Sequence, residues 1–166
     1  DGSIGDNHAA VIRSIHLRKH ARHSRTCLSI TTQGRMMKTI AIYNIKGGVG
    51  KTATSVNLSY LASLDGANTL LWDLDPQGAA SYYFKIKPRV NGGGQKLIEG
   101  DIDLDVSIKG TDFANLDLMP ADFTYRNMDL FLQDKASTGE SLNKLLEPFE
   151  DEYDFIFLDC PPSISS

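Results

Sequence analysis

Residues 38–58, KTIAIYNIKGGVGKTATSVNL, place an apolar β-branched run, a glycine-rich turn and a helix-forming stretch in immediate succession. The run from Lys38 to Asn44 has the length and apolar character of a buried strand. After the turn, Val56, Leu58, Leu61, Ala62 and Leu64 recur at helical spacing, and Gly66 behind Asp65 is a C-terminal stop signal. NTLLWDLD, residues 68–75, then reads as a second buried strand halted at Pro76. Strand, loop, helix and strand in this order predict a right-handed parallel βαβ unit, and with it an α/β fold whose mostly parallel sheet is flanked by helices.

The turn itself points to a ligand. Phosphate groups bind where consecutive backbone N–H groups face a concavity and a helix N-terminus adds partial positive charge. Gly47, Gly48 and Gly50 allow a close approach of backbone to ligand. Lys51 can reach β- and γ-phosphates, and the Thr52 hydroxyl can ligate Mg²⁺. The segment follows the pattern G-x-x-x-x-G-K-[ST] except at its first position, where Ile45 replaces glycine. Such a loop predicts binding of a magnesium nucleotide, and it leaves the role of the additional Lys46 open.

Further along, AASYYFKIKPRVNGGGQ suggests a short helix followed by a flexible loop, NLDLMP a third strand, and residues 121–133 and 138–147 helices. YDFIFLDCPP, residues 153–162, is a last strand, apolar almost throughout and stopped by two prolines. It carries Asp159 at its end, where a buried charge needs a partner. Tyr82, Tyr83 and Phe84 are expected to serve in core or interface packing rather than as a base-stacking surface. Cys160 is expected to be a small buried residue, not a reactive thiol. DIDLD, residues 101–105, has acidic spacing that begins like a calcium loop but lacks its glycine and its final glutamate, so calcium is not expected. NGGG, residues 91–94, has no lysine or helix start following in the right place and is taken as a flexible connection rather than a second phosphate cradle.

Of the 166 residues, 17 are Lys or Arg and 21 Asp or Glu, for a net charge of −4 that excludes a chain basic throughout. The charges are unevenly placed. Residues 1–35 hold Arg13, Arg18, Lys19, Arg22, Arg25 and Arg35 against Asp1 and Asp6, together with all four histidines. They lack an initiator Met, whereas Met36 and Met37 stand before the first strand. We expect a basic, disordered tail or upstream artefact over 1–35, and part of one nucleotide-binding domain over 36–166. Two cysteines without CxxC spacing imply a reducing, cytoplasmic compartment, and no apolar run approaches the roughly 18 residues of a membrane span.

KGGVGKT, residues 46–52, resembles the deviant Walker A signature of the ParA/MinD superfamily of ATPases, and the missing glycine at position 45 is closer to its ParA branch. DLDPQGAAS, residues 73–81, is similar to that branch's second motif, D-x-D-P-Q-G-x-x-[ST], and YDFIFLDCPPS to its Walker B segment. The resemblance runs over residues 38–163 and covers the N-terminal half of a typical member, so the P-loop fold is expected to be truncated after the Walker B strand. It implies a nucleotide-binding segment from Lys46 through Gly47, Gly48, Val49, Gly50, Lys51 and Thr52 to Ala53. Lys46 becomes the signature lysine that reaches the ATP of a partner subunit, while Lys51 serves its own. Asp75 becomes the residue that orients the attacking water, Asp159 a water-mediated Mg²⁺ partner alongside Thr52, and Asp73 a support for Mg²⁺ or for the loop. The same resemblance implies an ATP-dependent homodimer, plasmid or chromosome partitioning, non-specific DNA, a centromere-binding partner protein and association with the nucleoid. Two alternatives remain at this point: a non-catalytic, nucleotide-sensing interaction module, and a MinD-type membrane-cycling division regulator, which calls for an amphipathic basic helix that these residues do not contain.

Overall fold

A computed structural model describes residues 36–99, 101–127 and 145–162. The basic segment 1–35 lies outside them. Five strands form one sheet: β1 (Lys38–Ile42), β2 (Thr69–Asp73), β3 (Lys109–Gly110), β4 (Leu116–Met119) and β5 (Phe155–Asp159), in the spatial order β1-β5-β2-β4-β3. β5 lies between β1 and β2 and is parallel to both, β2 is parallel to β4, and only the short β3 runs antiparallel, against β4. The expected mostly parallel sheet is therefore present. Among the described residues, the helices that flank the sheet are α1 (Lys51–Leu64), α2 (Ala79–Tyr83) and α3 (Gly94–Glu99).

β2 and β5 are central because their sequences are apolar on both faces, as a covered parallel strand requires. Leu70, Trp72, Ile156 and Leu158 point to one side, where they pack with Met119, Tyr125, Leu146 and Phe149. Leu71 and Phe157 point to the other, with Leu116, Leu118 and the α2 residue Ala80, under Val56 and Tyr60 of α1. Each fully buried side chain of this size contributes about 1.5–3 kcal/mol. The one polar atom on the Trp72 side chain is satisfied, since its Nε1–H donates to the Tyr125 hydroxyl at 3.3 Å.

α1 forms where expected and ends as expected. Gly66 adopts φ 88°, its N–H donates to the Ser63 carbonyl, and the Ala67 N–H donates to the Ala62 carbonyl, the paired bonds of a Schellman motif. Its buried face follows the apolar spacing only at Val56 and Ala62, which pack on the core. Ser55, Ser59 and Ser63 are buried, while Leu58, Leu61 and Leu64 are exposed. The Ser59 and Ser63 hydroxyls donate to carbonyls of their own helix, to Ser55 at 2.7 Å and to Tyr60 at 2.8 Å, and Ser55 Oγ lies 3.0 Å from the Lys51 carbonyl. Small, internally satisfied side chains let the helix backbone lie close to the sheet.

Other expectations are corrected. NLDLMP supplies the fourth strand, because Lys109–Gly110 forms a short unexpected one. NGGG is a packed turn that leads into α3: Gly94 lies against the Tyr125 ring with no room for a side chain. Of the helices expected at 121–133 and 138–147, residues 128–144 lie outside the described set. The described end of the first is a 3-10 turn, Phe123–Asn127, while that of the second is α-helical at 145–146 and runs into a 3-10 turn, Glu147–Phe149. Phe84 does pack, edge-on to Phe113, which in turn meets Tyr60. Tyr82 and Tyr83 belong to no core, being 83% and 64% exposed. At the far margin of the sheet, β1 is paired only through β5 among the described residues, and Ile40, Tyr43 and Ile45 are exposed there.

Candidate functional site

The parallel register brings three strand ends together: Ile42 of β1 lies opposite Asp159 of β5, and Asp159 lies opposite Asp73 of β2. The crevice beyond the carboxyl ends of parallel strands is where α/β sheets bind ligands. From β1 the chain turns through Tyr43–Gly50 directly into α1. Gly48 and Gly50 take φ values of 71° and 87°, which a residue with a Cβ adopts only under strain. Gly50 caps α1 without any side-chain hydrogen bond, and the helix has no acidic residue in its first turn. The N–H groups of Lys51, Thr52 and Ala53 therefore head the helix with no side-chain acceptor at its cap. No protein atom comes within 4 Å of where a Cβ would stand on Gly47, Gly48 or Gly50, so the space over the loop is open.

Lys51 sits at the mouth of this turn, its ammonium donating to the Lys46 carbonyl at 3.4 Å. The Lys46 amide donates to Asn44 Oδ1 at 2.9 Å, which pins the start of the turn, while the Lys46 side chain and Val49 are exposed. The Lys46 ammonium engages no partner among the described residues, so the fold leads its backbone into the loop without bringing its charge to the other site groups.

Asp159 is fully buried. Ser55 Oγ donates to its Oδ1 at 2.9 Å, whereas Oδ2 has no hydrogen-bonding partner. Burial raises its pKa, the neighbouring Thr52 and Ser55 hydroxyls oppose the rise, Asp75 adds to it and Lys51 opposes it. Lys51, Thr52, Ser55 and Asp75 are thus within electrostatic or hydrogen-bonding reach of the Asp159 carboxylate. Asp73, also fully buried, is pushed up to about 6 by burial first, with the negative charge of Asp159 adding to it and hydrogen bonds from Ser81 opposing it. Its Oδ2 accepts both the N–H and the hydroxyl of Ser81 at 2.7 Å, and its Oδ1 accepts the Asp75 N–H at 3.3 Å. Half-buried Asp75 accepts the Gln77 N–H at 2.9 Å. Cys160 is partly buried with its thiol pushed up to about 11 by burial and by Asp159, so almost no thiolate exists at neutral pH.

Two residues of this site were not singled out from the sequence, Ser55 and Ser81. Ser81 had a signal, as the final position of the D-x-D-P-Q-G-x-x-[ST] pattern. Ser55 had none, because its partner is 104 residues away.

The donor set fits a metal-bound phosphate. Asp159 keeps one buried oxygen without a partner, Thr52 offers a hydroxyl beside it, and the uncapped helix end and open glycine turn offer N–H groups to an anion. Strand, glycine turn, helix and a second acidic strand end define a P-loop nucleotide-binding protein. A family model described as an AAA domain, AAA_31, matches residues 37–166, and the chain belongs to this family, within the ParA/MinD superfamily. It is 41% identical over 130 residues to the sporulation initiation inhibitor protein Soj of Bacillus subtilis, covering 78% of this chain and 51% of that protein. With the chromosome-partitioning ATPase Soj of Treponema pallidum the identity is 36% over 129 residues, covering 78% and 50%. Among solved structures, cobyrinic acid a,c-diamide synthase from Mycobacterium smegmatis with bound ADP and magnesium superposes with a TM-score of 0.71 at 28% identity, covering 78% of this chain and 53% of that one. The chain spans about half the length of the curated relatives it matches. Among the described residues, no helix is long and apolar enough to cross a membrane.

Proposed function

We propose that residues 36–166 are part of a magnesium-dependent ATPase that uses ATP as a dimerisation switch in plasmid or chromosome partitioning, with residues 1–35 a basic tail outside that domain. The observation that carries the reading is the buried, unpartnered Oδ2 of Asp159 beside an uncapped, glycine-led helix N-terminus. A charged oxygen left without a donor in the protein interior is costly unless a ligand completes it.

In this reading the N–H groups from Gly47 to Ala53 hold the phosphates, Val49 contributing its backbone, and Lys51 adds a positive charge. Thr52 and, through water, Asp159 would hold Mg²⁺, which when bound supplies charge neutralisation at the phosphoryl oxygens. Of the two roles open to Asp73, support of Mg²⁺ or of the loop, its hydrogen bonds to Ser81 and Asp75 favour the loop. Asp75, near enough for its charge to act on Asp159, would orient the attacking water. Lys46, exposed and uncommitted, would reach the nucleotide of a second copy and stabilise charge there. Non-specific DNA, a centromere-binding partner and a cytoplasmic, nucleoid-associated location are carried by the family alone.

The test is calorimetric titration with Mg-ATP together with single-turnover hydrolysis. Lys51→Ala is expected to abolish binding, and Asp75→Ala to bind normally but lose turnover by about 100-fold or more. Normal binding by the Lys51 variant, or unchanged turnover in the Asp75 variant, would overturn these assignments.

A further inference from the structure

We infer that Ser81 is a positioning residue for Asp75, acting through a clasp that ties three chain segments together behind the site; this rests on the hydrolytic role proposed for Asp75. Asp73 ends β2 and Ser81 lies in α2, and what joins the two elements, Leu74 to Gly78, is a loop with Asp75 in it. Ser81 closes that loop twice, since its N–H and its Oγ–H both donate to Asp73 Oδ2 at 2.7 Å. The same Oγ accepts the Ala121 N–H at 2.9 Å, from the segment that follows β4. The hydroxyl's single proton goes to Asp73 and a lone pair to Ala121, a combination that only an alcohol supplies. Ser81 and Ala121 are fully buried, so water does not replace what is lost if the hydroxyl is removed.

Inside the clasp, the loop is held by its own bonds: Asp75 N–H to Asp73, Gln77 N–H to Asp75 Oδ1, and Gly78 N–H to the Asp75 carbonyl at 2.8 Å. The Gln77 and Gly78 contacts shape the turn, while the Asp75 N–H to Asp73 and the Leu74 N–H to the Asp159 carbonyl at 3.0 Å tie its start to the sheet. Its far end is tied to Asp73 and to Ala121 through Ser81. Asp75 therefore owes part of its place relative to Asp159 to a residue six positions downstream that touches neither nucleotide nor metal in the proposed site.

The experiment compares the full chain with Ser81→Ala, Ser81→Thr and, as a control in a buried serine away from the loop, Ser63→Ala. Amide hydrogen exchange is read over residues 74–80 and at Ala121, and binding and turnover are read separately. Ser81→Ala is expected to speed exchange at Asp75, Gln77, Gly78 and Ala121 by about tenfold, as loss of roughly 1.4 kcal/mol of local protection implies. It should lower kcat by about 10- to 100-fold with nucleotide affinity unchanged. Ser81→Thr restores both readouts, and Ser63→Ala leaves loop exchange as in the wild type. Unchanged exchange in Ser81→Ala, or equal acceleration in Ser63→Ala, overturns the clasp. Faster loop exchange with unaltered kcat in an active protein overturns its link to Asp75. A wild-type chain without turnover defeats the hydrolytic reading instead, and the clasp is then decided by exchange alone.

Discussion

Asp73 and Asp159 stand in register on neighbouring strands, both fully buried, yet their oxygens have different surroundings. Three N–H or O–H groups donate to Asp73, while Asp159 receives one from Ser55 and keeps Oδ2 open. That difference, not the residue type, separates a carboxylate that organises a loop from one that can meet a cation. Asp122 shows the organising role away from the site. Burial works to raise its pKa, but hydrogen bonds from the Thr124 hydroxyl and the Val90 and Thr124 amides outweigh burial and hold it below its ordinary value of 3.8. A depressed folded-state pKa contributes stability above the unfolded value that is lost as pH falls through the folded one. Asp122→Asn is accordingly expected to cost about 2 kcal/mol at pH 7 in urea unfolding. The gap to wild type should narrow once the pH falls below the unfolded value; a gap that widens in acid contradicts the assignment.

At the scale of elements, α1 shows what could and could not be read in advance. Its start, its glycine stop and its place behind the phosphate loop were legible, because each is a local matter of backbone conformation. β2 and β5 were legible too, since strands covered on both faces are apolar throughout. The buried face of α1 was legible only in part. Apolar spacing selects Val56 and Ala62, which pack on the core, but also Leu58, Leu61 and Leu64, which are exposed, whereas the most buried positions are serines, of which Ser59 and Ser63 bond within the helix. Ser55 and Ser81 escaped for a related reason, as their partners are set by tertiary structure. Ser59→Leu should then overpack the interface and destabilise the fold by about 1–3 kcal/mol, while Leu61→Lys should change stability by no more than about 0.5 kcal/mol. Thermal unfolding of the two variants distinguishes the faces directly, and the reverse order of effects would reassign them.

For the whole molecule, two kinds of self-association should be separable. β1 carries an edge unpaired among the described residues, with Ile40 and Tyr43 exposed beside it, and such edges template pairing between chains. Association through this edge needs no nucleotide and should diminish in Ile40→Lys. Association through the proposed site needs Mg-ATP and should vanish in Lys46→Ala. Sedimentation velocity with and without nucleotide reads both, and a Lys46 variant that still pairs on adding ATP removes the cross-subunit role of that lysine. The bare margin has a mechanical side as well. The same five-residue strand that ends in the phosphate turn offers its outer rim to any additional strand. A segment zipped onto that rim would stiffen the ground from which the turn springs, so its binding and the grip on a triphosphate would strengthen each other by thermodynamic reciprocity.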